Sequence, residues 1–121
     1  MGKTVMVVDD STTMRQMLTD TLVAAGYEVL LAVNGEDALR KAGGRAVQLI
    51  ITDFNMPVMN GPALITRLRA TSEYKFTPIL VLTTESSVER KGEGKAAGAT
   101  GWMIKPFDPV RLVQVVNRLM P

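Results

Sequence analysis

The stretch VMVVDDSTT, Val5–Thr13, decides how the rest of the chain is read. Four apolar residues run straight into two adjacent carboxylates, Asp9 and Asp10. A run that short, apolar and rich in valine reads as a strand covered on both faces. Ending a buried strand on two like charges is costly unless something compensates them. The compensating groups must come from elsewhere in the sequence.

The same pattern recurs along the chain. Thr4–Val8, Glu28–Ala32, Val47–Thr52, Pro78–Thr83 and Thr100–Ile104 all read as short buried strands. An amphipathic stretch follows each one. In the first, Met14, Met17, Leu18, Thr21, Leu22 and Ala25 share a face, and Gly26 stands where a helix stops. Asn34 is placed to cap the second helix, and Gly43-Gly44 ends it. Gly61-Pro62 opens the third and Asp108-Pro109 the fifth, each with proline in the first turn. The fifth carries an apolar stripe of Leu112, Val113, Val116, Leu119 and Met120. The fourth, Ser86–Ala97, contains Gly92 and Gly94, each costing about 1 kcal/mol against alanine, so it is expected to be the most malleable.

Strand then helix, five times, implies an α/β fold with a doubly wound five-stranded parallel sheet. Right-handed crossovers place helices on both faces. Ligands bind such sheets outside the carboxyl ends of the strands. Those ends carry Asp9 and Asp10, then Asp53 in IITDFNMP, then Thr83, Thr84 and Glu85, then Lys105-Pro106 in IKPF. If the strands are adjacent, three carboxylates, a hydroxyl and an ammonium meet at one edge.

Composition narrows what such an edge can hold. The chain has 121 residues, a length suited to one domain over residues 1–121. With 46% hydrophobic residues but only 5% aromatic, its core must be mainly aliphatic. It has no cysteine, which excludes disulfides and thiolate chemistry, and no histidine, the commonest general base. A metal must therefore take oxygen ligands, which favours magnesium or calcium. The net charge of +2 gives no nucleic-acid footprint. No apolar run approaches the roughly 20 residues of a membrane span. MGKTVM matches neither a signal peptide nor a myristoylation site, so a cytoplasmic protein is expected.

Magnesium (Mg2+) among Asp9, Asp10 and Asp53 turns their repulsion into attraction and leaves positions open for phosphoryl oxygens. Phosphoryl transfer then gives the other groups roles. Asp53, on the middle strand end, is the natural acceptor and forms an acyl phosphate. Lys105 offers a point charge to the phosphoryl oxygens and Thr83 a hydroxyl donor. Taken singly, an aspartate after a strand is more often a turn or cap residue, and Lys105 a solvated lysine. It is their common position that argues for chemistry.

VVDDS, TDFNMPVMNG, VLTTES and GATGWMIKPF together span nearly the whole chain. In them the sequence resembles a response-regulator receiver domain, and more closely the single-domain CheY class of chemotaxis regulators. The resemblance implies the flavodoxin-like strand order 2-1-3-4-5, for which CheY is itself a standard example. It also implies that Asp53 is phosphorylated from the phosphohistidine of a sensor histidine kinase. Asp9, Asp10, Asp53 and the backbone carbonyl of Asn55 would hold magnesium. A cis Lys105-Pro106 peptide is expected, and Pro57 and Gly61 match the loop after the phosphorylation site. Thr83 would couple to Trp102, which stands where the class commonly has tyrosine. Asn55, Thr84 and Glu85 match positions that tune the lifetime of the phosphoryl group.

The resemblance places output on the fourth helix, fifth strand and fifth helix. Arg111, Val115 and Arg118 fall on the solvent side of the last helix by spacing, and Lys91, Lys95 and Trp102 join them. Such a face suits an amphipathic partner segment. A flagellar motor switch protein is the expected partner of a monomer with no external substrate. A phosphate sink for a shared kinase and a regulator of another motility system are the alternatives, and a separate phosphatase partner is allowed for. An Asp-nucleophile phosphatase fits poorly, because its acids are spaced DxD after the first strand. A flavin binder fits poorly too, because Asp9-Asp10 repels a phosphate.

Overall fold

Val5, Met6, Val7 and Val8 are all buried, as a central strand requires. In the computed structural model, which describes residues 2–120, they form β1 (Thr4–Val8). It is followed by α1 (Thr12–Ala24), β2 (Glu28–Ala32), α2 (Gly35–Ala42), β3 (Leu49–Thr52) and α3 (Gly61–Arg69). After a 3-10 turn at Ser72–Tyr74 come β4 (Ile79–Thr83), α4 (Val88–Ala97), β5 (Gly101–Ile104) and α5 (Pro109–Leu119). The sheet is parallel throughout, in the order β2-β1-β3-β4-β5. This is the flavodoxin-like arrangement expected.

Alternation along the strands splits the core in two. Met6, Val8, Ile50 and Val81 face Leu64, Ile65 and Leu68 of α3. Val5, Val7, Ile51 and Leu82 face Leu18 and Leu22 of α1 and Leu112 and Val116 of α5. The helices start on the caps that the sequence offers: Ser11, Asn34, Asn60, Ser87 and Asp108 each accept a first-turn N–H through the side chain. Gly26 ends α1 at φ 95°. Among the described residues no helix is long and apolar enough to cross a membrane.

Three strands start later than their apolar runs suggest. Thr4 donates its N–H to the side chain of Gln48 rather than to a backbone carbonyl, so β3 begins at Leu49 and not Val47. Pro78 has no N–H, so β4 begins at Ile79. The Thr100 hydroxyl accepts the Ile79 N–H, and β5 starts at Gly101. Likewise α4 starts at Val88, because Ser87 rather than Ser86 precedes its first turn as cap.

Two helix faces are also rotated. In α1 the buried pair is Leu18 and Leu22, while Met17 and Ala25 are exposed. In α5 the seam is Leu112, Val115, Val116 and Leu119, at i, i+3, i+4 and i+7. Val115, expected on the solvent side, therefore packs on the core. Val113, expected in the stripe, sits half-buried in the groove facing Thr21 and Ala24 of α1.

Asp37 ties α2 to the end of β2. Its carboxylate accepts the Val33 N–H at 2.9 Å and bonds Arg40 at 2.7 Å and Lys41 at 3.2 Å. Burial pushes this carboxyl up, but the Val33 bond and the two cations outweigh it and leave it below its ordinary 3.8. A lowered folded value means stability that is present above pH 3.8 and lost as pH falls through the folded value. Asp37→Ala strands the Val33 N–H and is expected to cost about 2 kcal/mol at pH 7. In urea titrations the gap to wild type should narrow steadily below pH 4; a gap constant down to pH 2 would refute this account.

Candidate functional site

The register of the sheet assembles the acids. Val8 pairs with Thr52, so the next residues, Asp9 and Asp53, leave neighbouring strands at the same level. Asp53 donates its N–H to the Val8 carbonyl at 2.9 Å, and Asp9 donates its N–H to Ala32 at 3.1 Å. Asp9 is 2% exposed and Asp53 9%, whereas Asp10 is exposed. One carboxylate oxygen from each of the three lies within 4.8 Å of the others. All the donors are carboxylate oxygens, which suits a hard, octahedral cation such as magnesium.

Thr83 ends β4 and is buried. Its carbonyl accepts the Lys105 N–H at 2.8 Å, which extends the ladder one step past β5. From there the Lys105 ammonium reaches Asp9 Oδ2 at 2.8 Å and Asp53 Oδ2 at 2.9 Å. Burial pulls this ammonium's pKa down, but its bonds to Asp9 and Asp53 win and hold it above the ordinary lysine value. The Lys105-Pro106 peptide is cis. So the cation that first compensates the buried Asp9 and Asp53 is a lysine of the chain itself.

Other contacts fix the carboxylates. Asp9 Oδ1 accepts the Ser11 N–H at 2.9 Å, and Asp53 Oδ1 accepts the Phe54 N–H at 2.6 Å. Asn55 is exposed in the loop that follows. That loop closes over Asp53 at Gly61, where a Cβ would lie 2.5 Å from the Asp53 carbonyl oxygen. Thr84 is exposed and Glu85 half-buried at the rim. The Thr83 hydroxyl accepts the Glu85 N–H at 3.2 Å.

Trp102 is half-buried on β5. Its indole N–H donates to the Glu85 carbonyl at 3.1 Å, and its ring meets Phe54 at 5.5 Å and 56°. Lys91, Lys95 and Trp102 border a depression of about 370 Å³ with Val88 and Ala99. Arg111 and Arg118 are exposed on α5, but Val115 is not part of that surface.

Sequence reasoning missed two contributors. Phe54 links the Asp53 carboxylate, through its N–H, to the Trp102 ring. Arg15, half-buried on α1, donates to the Asp9 carbonyl at 2.8 Å. An arginine one turn into a helix after an acid pair is a signal for such a contact, but a weak one.

The response regulator receiver domain family model matches residues 5–117. The chain belongs to that family. As a receiver it is 42% identical over 106 residues to chemotaxis protein CheY1 of Helicobacter pylori, covering 86% of each chain. It is 51% identical to the solved chemotaxis protein CheY4 of Vibrio cholerae, with a TM-score of 0.95 over 99% of this chain and 100% of that one. The receiver domain of the Pseudomonas aeruginosa sensor histidine kinase PA1611 is 25% identical, with a TM-score of 0.92 over 98% of each chain. That structure holds a magnesium ion in its active-site cleft.

Proposed function

We propose that this receiver is a single-domain, monomeric switch that phosphorylation turns on and that acts by binding. The observation that carries the proposal is the Lys105 ammonium held between Asp9 and Asp53 beside a third carboxylate. Asp53 is the acceptor. One of its carboxylate oxygens attacks the phosphorus of a phosphohistidine on a sensor histidine kinase. The new P–O bond forms as the P–N bond breaks, and the electron pair leaves with the imidazole.

Asp9, Asp10, Asp53 and the Asn55 carbonyl would hold Mg2+, which supplies charge neutralisation for the phosphoryl oxygens when bound. Lys105, at the Asp9 and Asp53 carboxylates, would add a second positive charge for the phosphoryl oxygens. Thr83 keeps its hydroxyl proton free, because its oxygen is the acceptor in the bond from Glu85. It can therefore donate to the phosphoryl group. Asn55, Thr84 and Glu85 border the mouth and control how water reaches the acyl phosphate. Hydrolysis by that water resets Asp53, and the chain turns over no other substrate.

Output goes to a protein partner in the cytoplasm through α4, β5 and α5. Lys91, Lys95, Arg111 and Arg118 make that face basic. The chemotaxis names of its relatives favour the chemotaxis kinase as donor and a flagellar motor switch protein as target. Beryllofluoride, a stable phosphoryl mimic, should bind one per chain in magnesium by titration calorimetry. The beryllofluoride-loaded protein should retain purified motor switch protein, and the free protein should not. Retention in neither state would overturn the motor assignment and leave a phosphate sink or another motility target. Absence of beryllofluoride binding would overturn the switch itself.

A further inference from the structure

The two glycines of α4 differ in what surrounds them. A Cβ built on Gly92 meets nothing within 4 Å. A Cβ on Gly94 would lie 2.7 Å from Trp102 Cζ3 and 3.3 Å from Cε3. Gly94 is buried under the indole, so the six-membered ring occupies the place of its missing side chain. On its other sides the ring meets Phe54, and its N–H is bonded to the Glu85 carbonyl. Glu85 is thereby gripped twice, by Trp102 at its carbonyl and by the Thr83 hydroxyl at its N–H.

We propose that Gly94 is a positioning residue that seats Trp102 in a fixed inward position. Seated there, the indole holds the Glu85 backbone and so aims the Thr83 hydroxyl proton at the phosphoryl site. The inference deepens the switch reading and rests on it. It makes the indole part of the frame that holds Thr83 and Glu85, and not a ring that swings when the phosphoryl group arrives. A ring wedged between Phe54 and a helix backbone, with its one polar atom satisfied, gains nothing by leaving.

Three variants test it: Gly94→Ala, Gly92→Ala and Trp102→Phe. Alanine has the same helix propensity at both glycine sites, so propensity alone predicts equal effects. Gly94→Ala should instead expel the indole. Acrylamide quenching of Trp102, the only tryptophan, should rise in this variant and not in Gly92→Ala. Calorimetric affinity for beryllofluoride in magnesium should fall about three- to tenfold in Gly94→Ala and Trp102→Phe. It should stay at the wild-type value in Gly92→Ala. Affinity for magnesium alone should be unchanged in all three, because only the anion meets Thr83. In wild type, quenching should be the same with and without beryllofluoride.

Trp102→Phe keeps a ring on Phe54 but removes the N–H, so it carries the test if Gly94→Ala does not fold. Wild-type beryllofluoride affinity in Trp102→Phe overturns the proposal, and so does a parallel loss of magnesium affinity, which marks general loosening. A rise in quenching when beryllofluoride binds wild type overturns the fixed seat. Failure of wild type to bind beryllofluoride at all overturns the switch reading beneath it.

Discussion

Asp53→Asn is expected to reduce labelling by a phosphorylated kinase, or by acetyl phosphate in magnesium, to background. The amide has no anionic oxygen to attack phosphorus, and its NH2 faces the Lys105 ammonium, which only donates. The fold should survive, because the Asn carbonyl can still accept the Phe54 N–H. Two other acids are near enough to serve if the assignment is wrong. Asp9 is the poorer candidate, because it is 2% exposed against 9% for Asp53 and a donor reaches it less readily. Asp10 is exposed and has room for a donor. Labelling that persists in Asp53→Asn and disappears in a further Asp10→Asn would move the acceptor to Asp10. A single magnesium-dependent label lost with Asp53 settles the nucleophile.

Four strand ends carrying polar residues on apolar runs were enough to single out the candidate site from sequence. Their order across the sheet was not, because parallel strands from separate βαβ units look alike locally and their adjacency is set by packing. The order came through the resemblance. The errors in helix faces have a simple geometric origin: moving one or two residues along a helix turns the side chain by about 100° or 200°, which exchanges Val113 and Val115. Gly94 was legible only as a helix breaker, since nothing local says that an indole from β5 fills its missing side chain. Arg69 was not legible at all. Its guanidinium bonds the carbonyls of Tyr74 and Thr77, in the one turn that leads into β4, and of Gly98, at the end of α4, two segments that only the fold brings together.

Lys105→Met should show how the acid cluster is stabilised without metal. Methionine keeps a stem of similar length, so packing changes little. The ammonium is lost from between Asp9 and Asp53, whose side chains are 3% and 11% exposed. Removing one partner from a buried ionic cluster typically costs about 3–5 kcal/mol. The Ser11 and Phe54 N–H groups still bond the two carboxylates, so the lower end, about 3 kcal/mol, is expected. Urea denaturation at pH 7 in EDTA reads this directly. Magnesium should then restore much of the deficit, because a cation that binds only the native state adds RT ln(1 + [L]/Kd). Its affinity should also exceed that for wild type, since no ammonium competes for the Asp9 and Asp53 oxygens. The two effects share one cause and must appear together. A variant as stable as wild type in EDTA would mean that the backbone N–H groups alone hold the acids. A deficit that magnesium leaves untouched would mean that the metal lies away from the oxygens that Lys105 engages.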